Sequence, residues 1–371
     1  MAIAPTTQIT KKELSAGTGA WWCAGCGDFG VTAAHVDELV RLVNEVGVPL
    51  ENIVAISGIG CSSKEPDMLH INAYHGQHGR SLPVAMGVIA ANPGLVVLDF
   101  GGDGDGYAIG MQHFVHAIRR NPNITYVVMN NQVYGLTKGQ ASPTAHKGLV
   151  TGSTPKGVKD RNVNPLTLGL AIGAAYVARG VSWHKKELQN LIGRAISTRG
   201  FSLVDVFSPC VTYHREPGYR GSGKIPEWYD QHYIFEINSA YEEMKSMIIT
   251  DQDHAALRAD MRREFDEKAP QLSKAAPDLV DIAEDILYRR IGHLPENYDP
   301  HDQHAAVRAM ELIVRAKQEF GKEIVGELYI NGNDPTMEDI LGVSAENPPA
   351  RADIAVENNL PAYQELLAGL R

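Results

Sequence analysis

Residues 97–140, VLDFGGDGDGYAIGMQHFVHAIRRNPNITYVVMNNQVYGLTKGQ, decide the fold of this chain. An apolar run at 95–100 predicts a buried strand, and the glycine-rich turn GGDGDG follows it directly. Apolar residues then recur with helical spacing over 107–120, and a second apolar run at 124–129 predicts another buried strand. The stretch therefore predicts a strand, a glycine turn, a helix and a second strand.

The two strands of such a unit are parallel, so their carboxyl ends lie at one edge of the sheet, where open α/β sheets bind ligands. Asp103 follows the first strand and Asn131 the second, and we expect them to lie close together. Glycines let backbone N–H groups approach an anion, and the next helix presents its positive end to it. With a backbone carbonyl near Val133, these side chains offer the oxygen ligands that Mg²⁺ takes beside phosphates. The turn alone leaves a solvated Asp as an alternative.

Four cysteines lie in Gly, Ser or Pro turns at the ends of regular elements: Cys23, Cys26, Cys61 and Cys210. The first two form a CxxC pair, which in a cytosolic protein is more often metal-binding or catalytic than a structural disulfide. Four thiolates satisfy either a tetrahedral Zn²⁺ or an iron–sulfur cluster. A redox-active CxxC with two buried cysteines is the third reading that spacing leaves open.

Composition describes a globular protein with room for a substantial core, since 371 residues carry 44% hydrophobic side chains at a mean hydropathy of -0.20. No apolar run approaches the roughly 18 residues that span a bilayer. The beginning of the sequence lacks the apolar segment of a secretory signal. We therefore expect a cytoplasmic protein that does not bind a membrane.

Charge is unevenly distributed along the chain, whose net charge is -10. Residues 251–371 carry 24 acidic and 13 basic side chains, whereas no Asp or Glu occurs at 106–159, which holds Arg119, Arg120, Lys138, Lys147, Lys156 and Lys159. Such a basic island favours a site that handles anions. Nucleic acid is excluded as a partner, because the chain as a whole is acidic and the island lacks interleaved aromatic residues.

Further periodic segments complete a doubly wound, mostly parallel α/β sheet: helices at 31–46, 81–91 and 185–199, a helix and short strand at 165–178, and strands at 53–56 and 201–207. The Ser-, Thr-, Pro- and Gly-rich segment 141–164 predicts a long functional loop. Beyond the α/β domain, 1–212, we predict a connector at 213–250 and a mainly helical, acidic extension at 251–371.

Several strings resemble known families. The GDG turn followed 28 residues later by the second Asn of a pair resembles the signature of thiamine-diphosphate-dependent enzymes. WCAGCGD at 22–28, SGIGCSS at 57–63 and NNQVYGLTKGQASPT at 130–144 resemble the catalytic β subunit of 2-oxoacid:ferredoxin oxidoreductases. The resemblance runs from about residue 22 to residue 210 and implies the thiamine-diphosphate-binding fold with a helical C-terminal extension.

The resemblance implies roles for individual residues. It implies that Cys23, Cys26, Cys61 and Cys210 hold a 4Fe-4S cluster, and that Asp103 and Asn131, with Val133, hold the Mg²⁺ that binds the diphosphate. It implies that the coenzyme contacts Ile59, Gly60, Cys61, Ser62, His78, Asp103, Gly104, Asp105, Asn131, Gly135 and Leu136. His78, in the string HGR, would stand against the thiamine or the substrate with Arg80 in support, and His70 and His75 read as polar turn residues.

Lys138 in LTKGQ resembles the lysine of 2-oxoglutarate or broad-range members, where pyruvate-type members often carry Gly. We predict that it pairs with a second carboxylate of the substrate; a solvated surface Lys is the alternative.

The implied function is CoA-dependent oxidative decarboxylation of a 2-oxoacid, best 2-oxoglutarate to succinyl-CoA and CO₂, with electrons passed to ferredoxin. The family's α subunit supplies a Glu to the thiamine ring, so we expect an αβ heterodimer or (αβ)₂ and no activity from this chain alone. A pyruvate or broad-range enzyme, a non-redox thiamine enzyme with a Zn²⁺ site, and a non-catalytic electron-relay module are the alternatives.

Overall fold

The computed structural model describes residues 8–17, 21–214, 233–236, 263, 306–307, 309–310, 313–314, 317, 323–332 and 334–345. The strands within them are β1 (Ile53–Ser57), β2 (Asn72–His75), β3 (Val96–Gly102), β4 (Ile124–Asn130), β5 (Val133–Tyr134), β6 (Gln140–Ala141), β7 (Tyr176–Val181), β8 (Ser202–Phe207), β9 (Tyr233–Glu236) and β10 (Glu323–Ile330). The α-helices are α1 (Lys11–Leu14), α2 (Asp28–Arg41), α3 (Ser81–Ala91), α4 (Met111–Arg120), α5 (Pro165–Ile172), α6 (Lys185–Ser197) and α7 (Met337–Leu341). None of these helices has the length and apolar character that crossing a membrane requires.

Eight strands form the main sheet in the order β2-β1-β3-β4-β8-β7-β10-β9. The first six are mutually parallel, β10 runs antiparallel to β7, and β9 runs parallel to β10. Every residue of the central strand β4 is buried, as expected for a parallel strand covered on both faces. The predicted doubly wound, mostly parallel sheet is confirmed.

Side chains alternate between two cores, one on each face of the sheet. On β4, Tyr126 and Val128 join the core that contains Phe114 of α4 and Leu166 of α5. Val127 and Met129 of the same strand point the other way, into the core built with α2 and α6. This alternation places helices on both faces and leaves the strand ends open at the edges.

A crevice opens where the chain changes direction across the sheet. From β1 the chain proceeds to β2 at the sheet edge, whereas from the adjacent β3 it proceeds to β4 on the other side. Connections that leave two neighbouring strands in opposite directions open a crevice at the carboxyl ends of those strands. The fold therefore sets the turn after β1 opposite the glycine turn after β3.

The predicted helices and strands recur with shifted limits. The helix predicted at 31–46 starts earlier, at Asp28, and its last turn is π-helical, Leu42–Val46. The helix predicted at 107–120 becomes a π-helical turn, Asp105–Ile109, followed by α4. The π turn lies at the crevice, in keeping with the frequent occurrence of such turns at functional sites.

Two of the strands in the structure were not predicted from the sequence. β2 was expected to be a polar turn, but its four residues extend the sheet at its edge while staying exposed, so they show no apolar alternation. β10 lies inside the segment predicted as a mainly helical extension, and it pairs with β7 of the main sheet. Most of 213–250 and of 251–371 lies outside the described residues, and that division stays a prediction.

The glycine turn after β3 passes over the hydroxyl of Tyr126. A Cβ placed on Gly101 would lie 2.4 Å from Tyr126 Oη, and one placed on Gly106 would lie 2.1 Å from it. Real Cβ atoms do not approach this closely, so the turn keeps its course because both positions lack a side chain.

We expect Gly106→Ala to destabilise the chain by about 1–3 kcal/mol, the usual cost of overpacking a core. Thermal unfolding of the coenzyme-free chain measures this as a lower midpoint. Gly87→Ala on the exposed side of α3, where an added Cβ meets no atom within 4 Å, is the matched control. Adding Tyr126→Phe should restore part of the loss; equal midpoints for all three variants would contradict the packing argument.

Candidate functional site

A cleft of about 480 Å³ lies at the carboxyl ends of β1, β3 and β4. Its wall comes from the turn after β1, the glycine turn after β3 and the hairpin formed by β5 and β6. The lining residues are Ile59, Gly60, Cys61, Ser62, His78, Gly102, Asp103, Gly104, Asp105, Met129, Asn131, Val133, Tyr134, Gly135, Leu136 and Thr137. The structure thus brings together all the residues predicted to bind the coenzyme and Mg²⁺; that they bind these groups stays a prediction.

The glycine turn gives the cleft a polar backbone floor. Helical structure begins at Asp103, directly after β3, so the N–H groups of the first turn have no helical carbonyl partner. A Cβ on Gly104 would lie 2.3 Å from the ring of Tyr134, so the ring packs directly on the backbone. Free N–H groups at the positive end of a helix favour an anionic group such as a diphosphate.

Asp103 is buried, with 1% of its surface exposed, and no ion pair of the described residues includes it. Burial raises the pKa of Asp103 to about 6, while hydrogen bonds from the hydroxyls of Ser142 and Thr144 act in the opposite direction. A buried carboxylate without a basic side chain beside it is costly unless a cation compensates it. This environment fits a bound metal ion.

Asn131 lies across the cleft from the glycine turn, and its Oδ1 accepts a hydrogen bond from the backbone N–H of Val133 at 3.0 Å. That bond fixes the plane of the amide group and leaves the second lone pair of Oδ1 available for a cation. One carboxylate, one amide oxygen and a backbone carbonyl form a hard, all-oxygen donor set, which suits Mg²⁺ better than a soft metal.

Asp105 organises the loops on the other side of the cleft. Its Oδ1 accepts from the backbone N–H of Gly79 at 2.7 Å and of Ile59 at 3.1 Å, and lies 2.5 Å from His78 Nδ1. A Cβ on Gly58 would collide with the same carboxylate, 1.9 Å from Oδ2. Asp105 therefore ties the turn after β1 to the turn before α3, and its bond to Nδ1 leaves Nε2 of His78 for a ligand.

The four cysteines come from loops that contact one another. The backbone N–H of Gly27, beside Cys26, donates to the carbonyl of Pro209, beside Cys210, at 3.1 Å. The indole N–H of Trp22, beside Cys23, donates to the carbonyl of Cys61 at 2.7 Å. None of these four cysteines forms a disulfide; Cys23 is exposed and Cys210 is buried.

Burial and neighbouring acids disfavour thiolates in the absence of a metal. Burial raises the pKa of Cys61 to about 12, with Asp28 and Cys210 adding to the effect. The pKa of Cys26 is also raised, mainly by burial and to a smaller extent by the charge of Asp28. Such thiols ionise when a metal centre takes the negative charge.

Among the described residues, no three His, Cys, Asp or Glu side chains are arranged to share one metal ion. A single Zn²⁺ with bonds of about 2.3 Å draws its four sulfur atoms to within about 3.8 Å of each other. A 4Fe-4S cluster binds each thiolate through a different iron, so its ligands stand farther apart. Four thiols on adjoining loops are a donor set that either metal group takes.

Asp28 escaped the sequence analysis although it follows the CxxC pair by two residues. It is buried, and its Oδ1 accepts a hydrogen bond from the Ser208 hydroxyl. Burial raises the pKa of Asp28 to about 7, and the Ser208 bond lowers it. Asp28 thus links the loop of Cys26 to the loop of Cys210.

Lys138 does not line the cleft. It is exposed at the tip of the β5–β6 hairpin, next to the lining residue Thr137, with a left-handed φ of 76°. Its backbone N–H donates to the carbonyl of Gly135 at 3.1 Å, which holds the tip in a tight turn. The predicted role of its ammonium group in substrate binding stays a prediction.

Ser142, Thr144 and Tyr134 also went unnoticed in the sequence. Ser and Thr are common in loops, and a Tyr in an apolar and glycine-rich context reads as a packing residue. The recurrence of hydroxyl residues on both sides of Pro143, just after the hairpin, was the available signal.

Comparison with known proteins gives these features a context. Residues 58–206 match the family of the C-terminal TPP-binding domain of thiamine pyrophosphate enzymes. The chain is 38% identical over 283 residues to the 2-oxoacid:ferredoxin oxidoreductase 2, subunit beta, of Aeropyrum pernix, covering 76% of this chain and 84% of that protein. It is 45% identical over 195 residues to the 2-oxoacid:ferredoxin oxidoreductase subunit beta of Saccharolobus solfataricus, covering 52% of this chain and 63% of that protein.

A 2-oxoglutarate oxidoreductase subunit KorB of Mycobacterium tuberculosis is 39% identical over 212 residues, 57% of this chain and 56% of that protein. Among solved structures, the 2-oxoglutarate:ferredoxin oxidoreductase from Magnetococcus marinus, with 2-oxoglutarate, coenzyme A and succinyl-CoA bound, superposes with a TM-score of 0.65. It is 28% identical, and the match covers 95% of this chain and 96% of that one. Together with the cleft and its four neighbouring thiols, these similarities show that the chain belongs to the family of 2-oxoacid:ferredoxin oxidoreductase β subunits.

Proposed function

We propose that this chain is the subunit that binds thiamine diphosphate, Mg²⁺ and a 4Fe-4S cluster in an enzyme that converts 2-oxoglutarate and CoA to succinyl-CoA and CO₂ and reduces ferredoxin. One observation supports this most strongly. A Cβ on Gly135 would lie 3.2 Å from Cys61 Sγ and 3.8 Å from both Asn131 Nδ2 and Cys210 Sγ. One glycine thus lies beside a candidate cation ligand and two candidate cluster ligands, which supports a coenzyme site and a cluster site that adjoin each other.

The chain's own contribution is to hold and orient the reactants. The N–H groups that begin at Asp103 bind the diphosphate, and Asp103, Asn131 and Val133 hold its Mg²⁺. Thiamine diphosphate, when bound, supplies the carbon nucleophile and electron sink that decarboxylation of a 2-oxoacid needs. The four thiolates hold the cluster beside it, which shortens the path of the electrons.

His78 is the side chain best prepared to contact the substrate. Oδ1 of Asp105 lies 2.5 Å from Nδ1 of His78, and this contact orients the ring so that it presents Nε2 to the cleft. A neutral imidazole held in this way accepts a hydrogen bond, and a protonated one donates it. His78 therefore positions a proton near the reacting carboxylate or carbonyl of the 2-oxoacid.

The partner that completes the site is an α subunit. Relatives of this chain are named as β subunits, which implies a multi-subunit enzyme. The hydrophobic side chains Ile59 and Leu136 line the cleft and are themselves exposed, as a surface that meets a partner would be. We place the αβ or (αβ)₂ enzyme in the cytoplasm, where free thiols stay reduced.

A broad-range 2-oxoacid enzyme is the second candidate. The position of Lys138 at the rim, outside the cleft lining, favours it, since an exposed and mobile ammonium selects weakly between substrates. 2-Oxoglutarate remains the first choice because it is named for the relative from M. tuberculosis and is bound in the structure from M. marinus.

Co-expression with the α subunit under anaerobic conditions should give CoA-dependent reduction of ferredoxin by 2-oxoglutarate, and the chain alone should give none. Asp103→Asn should lower the rate by more than about 100-fold, because even loss of a side chain that supports a metal ligand costs 10–100-fold. Asp160→Asn, at an exposed loop carboxylate, is the control. Full activity of the chain alone, or of Asp103→Asn, would refute the proposal.

Lys138→Gly should raise KM for 2-oxoglutarate about tenfold or more and leave KM for pyruvate unchanged. Only 2-oxoglutarate has a second carboxylate with which the ammonium group can pair. Lys138→Arg keeps the charge and should retain the preference. Steady-state kinetics with both substrates measure the effect. Equal losses for the two substrates would remove the basis for naming 2-oxoglutarate and favour the broad-range enzyme.

The anaerobically purified protein should be brown, with broad absorption near ~400 nm and equal iron and acid-labile sulfide. Cys61→Ser should lose this absorption, because three thiolates and a hydroxyl hold the cluster poorly. Metal analysis decides between the alternatives: a colourless protein containing zinc would support the non-redox thiamine enzyme. A brown protein that binds no thiamine diphosphate would support the electron-relay module.

A further inference from the structure

The hydroxyls of Ser142 and Thr144 meet at one oxygen of Asp103. Both donate to Oδ2, and their own oxygen atoms lie 3.2 Å apart. Oδ1 has no side-chain partner among the described residues. All three side chains are buried. Two hydroxyls that bind the same carboxylate oxygen fix the rotation of the carboxylate and leave the other oxygen for a ligand.

The contact extends into a buried polar chain under the cleft. Thr144 Oγ1 also lies 2.9 Å from Asn130 Oδ1, and Asn130 Nδ2 donates to Asp205 Oδ1 at 3.1 Å. Asp205 is in turn held by Arg179, whose Nε donates to Oδ2 at 2.9 Å. Thr144 therefore lies against a buried polar network that joins side chains of β4, β7 and β8.

Ser142 and Thr144 stand at the stem of an ordered loop that covers one of the thiols. The loop closes where the N–H of Val163 donates to the carbonyl of Pro143 at 2.8 Å. Inside it, Ala145 and Leu149 pack against Val133 and Cys210. The backbone N–H of Gly148 donates to the carbonyl of Val158 at 2.8 Å, which stabilises the middle of the loop. The 143–163 loop is thus a compact unit whose attachment to the rest of the site includes Asp103.

We propose that Ser142 and Thr144 are positioning residues: they fasten the 143–163 loop to the cation-binding carboxylate of Asp103, so that cation binding and closure of the loop over Cys210 stabilise each other. This inference rests on the proposed function, because it assigns the cation to Asp103. The two hydroxyls fix the rotation of the carboxylate that the cation binds, and a bound cation in turn holds that carboxylate where both hydroxyls reach it. Each event therefore favours the other, as linkage requires.

The first measurement is binding of Mn²⁺, as a magnetic stand-in for Mg²⁺, to the full chain co-expressed with its α subunit, in the presence of thiamine diphosphate. Electron paramagnetic resonance gives the affinity without any turnover. Ser142→Ala combined with Thr144→Val should weaken Mn²⁺ binding by 10–100-fold, as for other side chains that orient a metal ligand. Thr144→Ser keeps the hydroxyl and should restore most of the affinity. Mn²⁺ binding within twofold of the unaltered protein would overturn the proposal.

The second measurement is trypsin digestion of the same protein with and without Mg²⁺ and thiamine diphosphate. The loop carries four exposed cleavage sites: Lys147, Lys156, Lys159 and Arg161. In the unaltered protein, Mg²⁺ and thiamine diphosphate should slow cleavage at these sites about tenfold. In the double variant, they should have almost no effect on the rate of cleavage. Equal protection of both proteins would contradict the coupling.

Thr151→Val is the matched control. Thr151 is a buried threonine of the same loop, but its hydroxyl bonds to Ser153 and Thr154 inside the loop and not to Asp103. It should speed cleavage without the cation and, through the coupling, weaken Mn²⁺ binding by no more than about threefold, far less than the double variant, which separates a loosened loop from a mispositioned ligand. If Thr151→Val lowers Mn²⁺ affinity as much as the double variant, the effect is general loosening and the assignment to Ser142 and Thr144 fails. If the unaltered protein binds no Mn²⁺ with thiamine diphosphate, the proposed function itself fails, and this inference with it.

Discussion

Negative charge buried at the strand ends governs the construction of this site, and each carboxylate there is compensated differently. Asp205 has the guanidinium of Arg179. Asp105 has two backbone N–H groups and a histidine ring. Burial raises the pKa of Asp99 well above its usual range, which favours the neutral form of that side chain. Asp103, with hydroxyl donors and no basic partner within the described residues, is the carboxylate left for an external cation.

The cleft brings together two chemistries that need opposite surroundings. A diphosphate and its cation require polar groups and backbone N–H donors, whereas buried thiols such as Cys210 sit among apolar side chains. Gly135 lies at the boundary between the two, because a Cβ there would lie 3.2 Å from Cys61 Sγ, a tight contact, and 3.8 Å from Asn131 Nδ2. The glycine lets the proposed cation site and the proposed cluster site lie side by side, and a short separation of that kind favours electron transfer. Burial raises the pKa of Cys26, Cys61 and Cys210, so thiolates at these positions would form together with a metal group.

Sequence reasoning succeeded where a local pattern maps onto one position of the fold. The apolar runs at 95–100 and 124–129, the glycine turn between strand and helix, and Asn131 after the second strand were enough to predict the parallel unit and the edge that carries the cleft. It failed where the signal is spread along the chain or is chemically ordinary. Ser142 and Thr144 are loop hydroxyls like many others until the fold sets them against Asp103. β2 has no apolar periodicity because it is exposed, and Asp105 was assigned to the coenzyme without its role in joining two loops.

The late position of β10 in the chain affects how the molecule is made. Its partner β7 is synthesised more than 140 residues earlier. Glu327 of β10 is buried and pairs with Arg194 of α6, which indicates that the strand is an integral part of the sheet. On the ribosome, β7 is therefore an open sheet edge until nearly the whole chain has emerged, and an open edge invites pairing with other chains. β10 thus covers the β7 edge of the sheet, and a shortened gene that ends before β10 would encode a sheet with that edge exposed.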